Sequence, residues 1–248
     1  MSNESGTVRL TCSCSASIER LAGPPPLGSA KVRAEGVKGG AMEFFDVVTT
    51  QRAMRRLKPD PIADHVLRQI MDAAICAPSG GNRQGWGFVV VRDAATRARL
   101  GELYREAWGE LMKTPYYREA GAAPADSPVG RMVASARHLA EHLAEAPVIV
   151  LACIATDGMT PTITTGASIY PAVQNLMLAA RALGIGSCLT TIHRFRDAQV
   201  KALLGIPGVI ETAALIPLGY PLGRFGRPPR KPAGEVTFAD RWGQAPGW

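Results

Sequence analysis

The sequence predicts an α/β fold in which one central sheet is covered by helices. Short runs at 88–91, 148–154, 187–191 and 211–218, the first two continuously apolar, have the length of strands and alternate with longer amphipathic stretches. The alternation lacks a regular βαβ rhythm and the strand-like runs are few, which favours a single sheet over a doubly wound one. With 46% hydrophobic residues in 248, the chain can fill a substantial core without disulfides or metal staples.

Taken in order, residues 1–41 show no helical or strand period. They carry serines, the prolines Pro24, Pro25 and Pro26, and the pair Gly39 and Gly40, and read as a disordered or loosely attached leader to a domain spanning 42–248. From 43 to 54, Phe44, Phe45, Val47 and Val48 make a helix with its apolar stripe inward. Pro59 and Pro61 stop it, because proline disfavours helical geometry in the residue before it. A second helix is expected at 64–77, ended by Pro78, and then the strand 88–91. A charged helix follows at 94–113, and the Pro/Gly/Ala-rich stretch 114–129 reads as a mobile loop. Helix 131–144 leads into strand 148–154. The longest helix, 165–183, ends at Gly184 and Gly186 and feeds strand 187–191. A short helix at 197–204, a last strand at 211–218 and a tail rich in Pro, Gly and Arg complete the chain.

The formal net charge is +7, but the basic residues are dispersed instead of forming a block interleaved with aromatics. A small anionic cofactor or nucleotide substrate accounts for such an excess better than nucleic acid does. No apolar run approaches the ~20 residues of a membrane helix, and no basic region followed by an apolar stretch marks a secretory signal. Cys12, Cys14, Cys76, Cys153 and Cys188 are odd in number and form no CxxC, which points to a reducing cytoplasm.

Several segments carry candidate chemistry. Arg52, Arg55, Arg56 and Lys58 crowd together with no acid between them, as an anion clamp would, although the dipole of a helix end also favours cations. In the loop 77–86, Pro78, Gly80 and Gly81 let the backbone lie against a flat ligand, and Ser79, Asn82 and Gln84 offer hydrogen bonds; the plain alternative is a helix-to-strand connection. The run 187–192 is either an ordinary strand or a set of donors beside a cofactor. Two patterns are decoys. His138 and His142 fit HxxEH on an Ala/Leu/Glu-rich helix, and Gly184 and Gly186 begin a dinucleotide fingerprint but follow a helix and lack its third glycine. There is no Walker lysine and no G-x-S-x-G elbow, as expected where a cofactor carries the reaction.

These segments, together with Leu218 to Pro221 and Arg227 to Pro232, resemble FMN-dependent nitroreductases in order and spacing. Gln51 and Ala53 depart from the family's Arg-Arg-Ser-x-Arg, and Gly85 from its Pro-Trp. The resemblance implies an α+β sandwich with a mixed, mostly antiparallel sheet flanked by helices, built as an intertwined homodimer related to iodotyrosine deiodinase. It implies FMN held by Arg52, Ala53, Met54, Arg55, Arg56, Pro78, Ser79, Gly80, Asn82, Leu189, Thr190, Thr191, Gly219 and Arg230, with Lys231 as a neighbour. NAD(P)H would be the co-substrate and a nitroaromatic, quinone or similar planar molecule the acceptor, in a ping-pong cycle with neither a metal nor a protein acid or base. Tyr104, Trp108, Tyr116 and Tyr117 are the candidates to stack on that acceptor, against the alternative that they pack the helix. Reductive dehalogenation and flavin binding without turnover are the competing functions.

Overall fold

The computed structural model describes residues 42–156, 158 and 160–247; the expected leader, 1–41, lies outside them. Four strands form one sheet in the order β1-β2-β4-β3: β1 Trp86–Val91, β2 Val148–Ala155, β3 Gly186–Ser187 and β4 Ile210–Gly219. All three strand pairs are antiparallel, and one parallel bridge joins Ala53 to Ser187. Strand β2 shows why its sequence is continuously apolar. Val148, Val150, Ala152 and Ile154 pack on one face beneath α2 (Asp64–Ala74) and α6 (Ile163–Ala182), while Ile149, Leu151 and Cys153 meet α3 (Ala94–Lys113) and α5 (Pro128–His142) on the other. A strand alternates its side chains, so burial on both faces requires an apolar residue at every position. Burial of each large aliphatic contributes about 1.5–3 kcal/mol.

Helix termini follow local chemistry. Asp93 caps α3 by accepting from Thr96 N, and Thr162 and Thr165 form a reciprocal capping box on α6. The last helix, α7 (Asp197–Leu204), ends at Gly205, whose φ of +65° favours a residue without Cβ. At the bulge between β2 and β4, the extra residue Ala213 turns its carbonyl to accept from the Tyr170 hydroxyl at 3.3 Å.

Several expectations change. The first helix, α1, covers only Phe44–Thr50, and Phe44, Phe45 and Val48 face outward, Phe45 at 76% exposure. Its expected continuation through Met54 is lost to a long-range partner. Met54 N donates to Ser187 O at 2.8 Å, Lys58 N to Tyr220 O at 2.7 Å, and Leu222 N to Arg56 O at 3.0 Å, which draws 52–58 out as an extended strap along the sheet edge. The arginines therefore do not sit on a helix end. Helix α2 stops at Ala74 rather than 77, and β1 begins at Trp86 rather than 88. The expected mobile loop 114–129 contains α4 (Pro115–Gly121) and the start of α5, with Pro115 and Pro128 as starting residues and not breakers. The strand expected at 187–191 is only Gly186–Ser187 plus a bridge from Thr190 to Leu215, because the chain curls into a 3-10 turn at Ile192–Arg196.

Candidate functional site

The expected site residues fall at two ends of the sheet. At one end, where Val148 opposes Leu218, the strap closes over β3 and β4; at the other, where Trp86 opposes Ile154, the loop 78–85 turns into β1. The six steps from Val148 to Ile154 separate them by roughly 20 Å along the strands at ~3.4 Å per residue. One chain brings together the strap, the 188–192 segment and the tail, and leaves the loop apart.

Glycine makes the strap's seat. A Cβ on Gly186 would meet Met54 and Leu57 side chains at 3.0 Å, and one on Gly219 would sit 3.0 Å from Leu57 Cβ and 3.2 Å from the Lys58 carbonyl. Gly219, expected at the cofactor, is thus buried under the strap, and Met54 fills the core. Ala53 and Arg52 are exposed, and Arg55 points inward, half-buried.

Arg55 stands between two cavities. A larger one, of about 190 Å³, is lined by Arg55, Tyr104, Trp108, Tyr117, Cys188 and Thr190, with Leu189 and Thr191 at its wall. Burial pushes the Cys188 thiol up, and the neighbouring Arg55 guanidinium offsets only part of the rise. Tyr104 is 1% exposed, and its hydroxyl lies 2.8 Å from Thr190 Oγ1. Burial holds the phenol well above its ordinary range, with the Thr190 hydrogen bond opposing. Trp108 is also buried and meets Tyr117 edge-on at 6.5 Å. Of the four aromatics expected to greet an acceptor, Tyr104 belongs to the core and Tyr116 sits in a separate groove with Glu119 and Val129.

A smaller cavity of about 100 Å³ has Arg55, Leu57, His138, His142 and Leu222 on its walls. Here Arg56 has its Nη1 3.2 Å from His138 Nδ1. The two histidine rings stack at 4.3 Å, and His142 Nδ1 meets Glu145 Oε1 at 2.7 Å. Partial burial, then Arg56 and His142, lower the pKa of His138.

Arg230 lines a third cavity, of about 430 Å³, with Arg227, Val48, Thr49, Gln51 and Gln174, which puts the tail beside the start of the strap. Its Nη1 donates to Pro229 O at 2.8 Å. Among the described residues, none of Arg52, Arg55, Arg56, Lys58, Arg227 and Arg230 forms an ion pair with a carboxylate. At the far end, a cavity of about 540 Å³ is lined by Ser79, Gly80, Arg83, Thr156, Thr164 and Ser168. Gly80 N donates to Ser168 Oγ at 3.1 Å and Gln84 N to Ser79 Oγ at 3.0 Å; Pro78 and Asn82 are exposed. Gly81, Asn82 and Gln84 all have positive φ, an uncommon state for the latter two. Cys188 and Arg83 lie in segments the sequence singles out without being candidates themselves, whereas Ser168, on α6, had no signal and reaches the loop by accepting from Gly80 N.

The family model described as "Nitroreductase family" matches residues 48–220, spanning strap, loop, sheet and Tyr220. The chain belongs to the nitroreductase family. It is similar to proteins of several named activities. It is 31% identical over 176 residues to an NADH dehydrogenase of Thermus thermophilus, covering 69% of this chain and 83% of that one. It is 32% identical over 199 residues to a 5,6-dimethylbenzimidazole synthase of Rhodospirillum rubrum, covering 73% and 87%. A nitroreductase with bound FMN from Desulfitobacterium hafniense shares the fold with a TM-score of 0.62 at 19% identity, over 80% of this chain and all 100% of that one.

Proposed function

We propose that this nitroreductase-family chain is an FMN-dependent oxidoreductase that works as a homodimer, taking hydride from NAD(P)H and reducing a planar acceptor such as a nitroaromatic or a quinone by a ping-pong cycle. The observation that carries this is Arg55 at an aromatic-walled cavity, with Arg52 on the same strap and Arg230 beside the strap's start, none of them paired with a carboxylate among the described residues. Such cations suit phosphate oxygens, and the cavity walls suit a flat ring. The donor set therefore fits FMN, and the bound group supplies the electron transfer itself.

In this proposal Arg52 and Arg230 hold the phosphate, and Arg55 reaches the ring edge. The 189–191 backbone flanks the ring, while Trp108 and Tyr117 keep water from it. Arg56, held at His138, contributes charge at longer range. A cavity of about 190 Å³ is small against the ~300–1,000 Å³ of small-molecule pockets. One chain then supplies one wall, and Ser79, Gly80 and Asn82 of a second copy would supply the other.

Absorption spectroscopy on the purified protein is the direct test. A flavin spectrum that NAD(P)H bleaches and a nitroaromatic restores supports the proposal; protein that stays colourless with added FMN overturns it. Arg55→Ala and Arg230→Ala should each weaken FMN binding by about 1.5–3 kcal/mol, the worth of a charge-assisted hydrogen bond. Unchanged affinity in both variants removes Arg55 from the ring edge and Arg230 from the phosphate.

A further inference from the structure

We propose that Arg181 is a positioning residue for the cofactor's phosphate: held between α1 and the ring of Phe225, its guanidinium ties the C-terminal tail to the start of the strap, so that Arg230 and Arg52 close on one anion. This rests on FMN being the ligand, and it names what holds the two phosphate arginines together.

Arg181 lies half-buried in the last turn of α6. The helix dipole alone favours a cation there, and a lysine would serve as well. The contacts of this side chain ask for more. Its Nε donates to Thr50 Oγ1 at 3.0 Å, its Cζ stands 4.0 Å from the centroid of the Phe225 ring, and its Nη1 reaches Met42 Sδ at 3.1 Å. Thr50 is able to accept because its own proton goes to Asp46 O, one turn back on α1. A planar guanidinium lies over a ring with its face while it donates along its edge, which an ammonium cannot do. Partial burial lowers the pKa of the group, with Asp46 opposing, and an arginine stays charged throughout.

Both ends of this clamp lead to the anion site. Thr50 is the last residue of α1, followed by Gln51 on the wall of the third cavity and then by Arg52. On the other side, Leu222 N donates to Arg56 O, and among the described residues no backbone–backbone hydrogen bond holds 223–231. Phe225 is the anchor in that stretch, packed against the core cluster that includes Met54 and Leu57, and Arg227, Pro228 and Arg230 follow on the cavity wall. Cations brought together without an acid repel one another while the site is empty, so an untethered tail would swing away. A tail fixed at Phe225 has less freedom to lose when the ligand arrives. Arg181 is not on the cavity wall itself and acts through the two elements it joins.

The test compares the affinities of the full-length protein, freed of flavin, for FMN and for riboflavin, which has the same ring without the phosphate. Arg181→Met keeps the aliphatic stem and removes the guanidinium; Phe225→Leu removes the ring and leaves every charge in place. Each should weaken FMN binding several-fold, by less than the loss of at least about tenfold expected for Arg230→Ala, and leave riboflavin binding unchanged. In the Arg230→Ala background neither should add to the loss. The tail also reports without flavin. Trypsin should cut after Arg230 faster in both variants than in wild type, whereas the bonds after Arg227 and Lys231 precede proline and resist it. Melting curves show whether each variant is folded, and where Arg181→Met is not, Phe225→Leu carries the test. Unchanged FMN affinity, equal losses for FMN and riboflavin, a loss in Arg181→Met that Phe225→Leu does not share, full additivity with Arg230→Ala, or tail cleavage at the wild-type rate overturns the positioning role and leaves the flavin function standing. Wild-type protein that binds no FMN ends both.

Discussion

At the scale of single residues, His193 is the costliest feature of the core. Its ring is fully buried, and neither nitrogen finds a hydrogen-bond partner among the described residues. Burial pushes its pKa down to about 4, with Asp197 opposing and Arg194 adding to the fall. The unfolded chain takes up this proton near 6.5 and the folded one only near 4, so between those values the unfolded state binds more protons. Stability from this residue is therefore complete above pH 6.5 and is lost as pH falls toward 4, by about 3 kcal/mol in all. Urea midpoints across that window should drop in the native protein and fall less steeply in His193→Leu, which keeps the volume and removes the titrating group. Equal slopes would mean that His193 has a proton acceptor in solution. The sequence gives no hint of this burial, because His193 sits beside Arg194 and Arg196 in a stretch that reads as surface. Tyr104 misleads the other way, since an aromatic on a charged helix looks available to a ligand, and only the packing of α3 on the sheet shows that it is not.

At the scale of elements, what could be read locally was set by local chemistry. Helices α3 and α7 agree with their expected bounds because Asp93 and Gly205 mark the cap and the stop. The strap and the 187–191 segment were misread because their hydrogen bonds run to Ser187, Tyr220 and Leu215, partners that no local window contains. Such distant pairing overrides helical periodicity in 51–54. The α4–α5 corner was misread for a different reason: proline ends a helix from within but starts one at its first position. That corner makes a prediction of unusual sign. Ser127 Oγ accepts from Gly130 N at 2.9 Å, so Ser127→Ala should cost about 1 kcal/mol as a lost cap. Gly130→Ala would ordinarily stabilise a helix by about 1 kcal/mol. Here the new Cβ would run into the Pro124 carbonyl, so the variant should melt below both wild type and Ser127→Ala. A higher melting temperature for Gly130→Ala would mean that the corner opens freely.

For the whole molecule, the proposed homodimer would account both for the separation of strap and loop and for the exposed apolar residues on α1 and α6. Phe44, Phe45 and Val48 on α1 and Ile163 and Tyr170 on α6 are exposed large hydrophobics. Closed two-fold symmetry makes the same patch serve both copies and repeats every half-site twice. It can therefore seat the 78–85 loop of one copy over the 52–58 strap of the other, which a single chain, with the two ends of its sheet roughly 20 Å apart, cannot do. No helix among the described residues is long and apolar enough to cross a membrane. Subunit complementation tests the arrangement. Arg55→Ala disables the strap, and Gly80→Leu projects a branched side chain from the loop, where the nearest atom to its Cβ is Ser168 Oγ at 3.7 Å, so the chain itself is not strained. Each variant alone should form dimers that retain little FMN. Unfolded together and refolded as a mixture, they should regain binding, because a heterodimer pairs the intact strap of one chain with the intact loop of the other. A mixture that binds no better than its components would put strap and loop in service of one chain's own site, and a monomer on size exclusion would remove the second wall altogether.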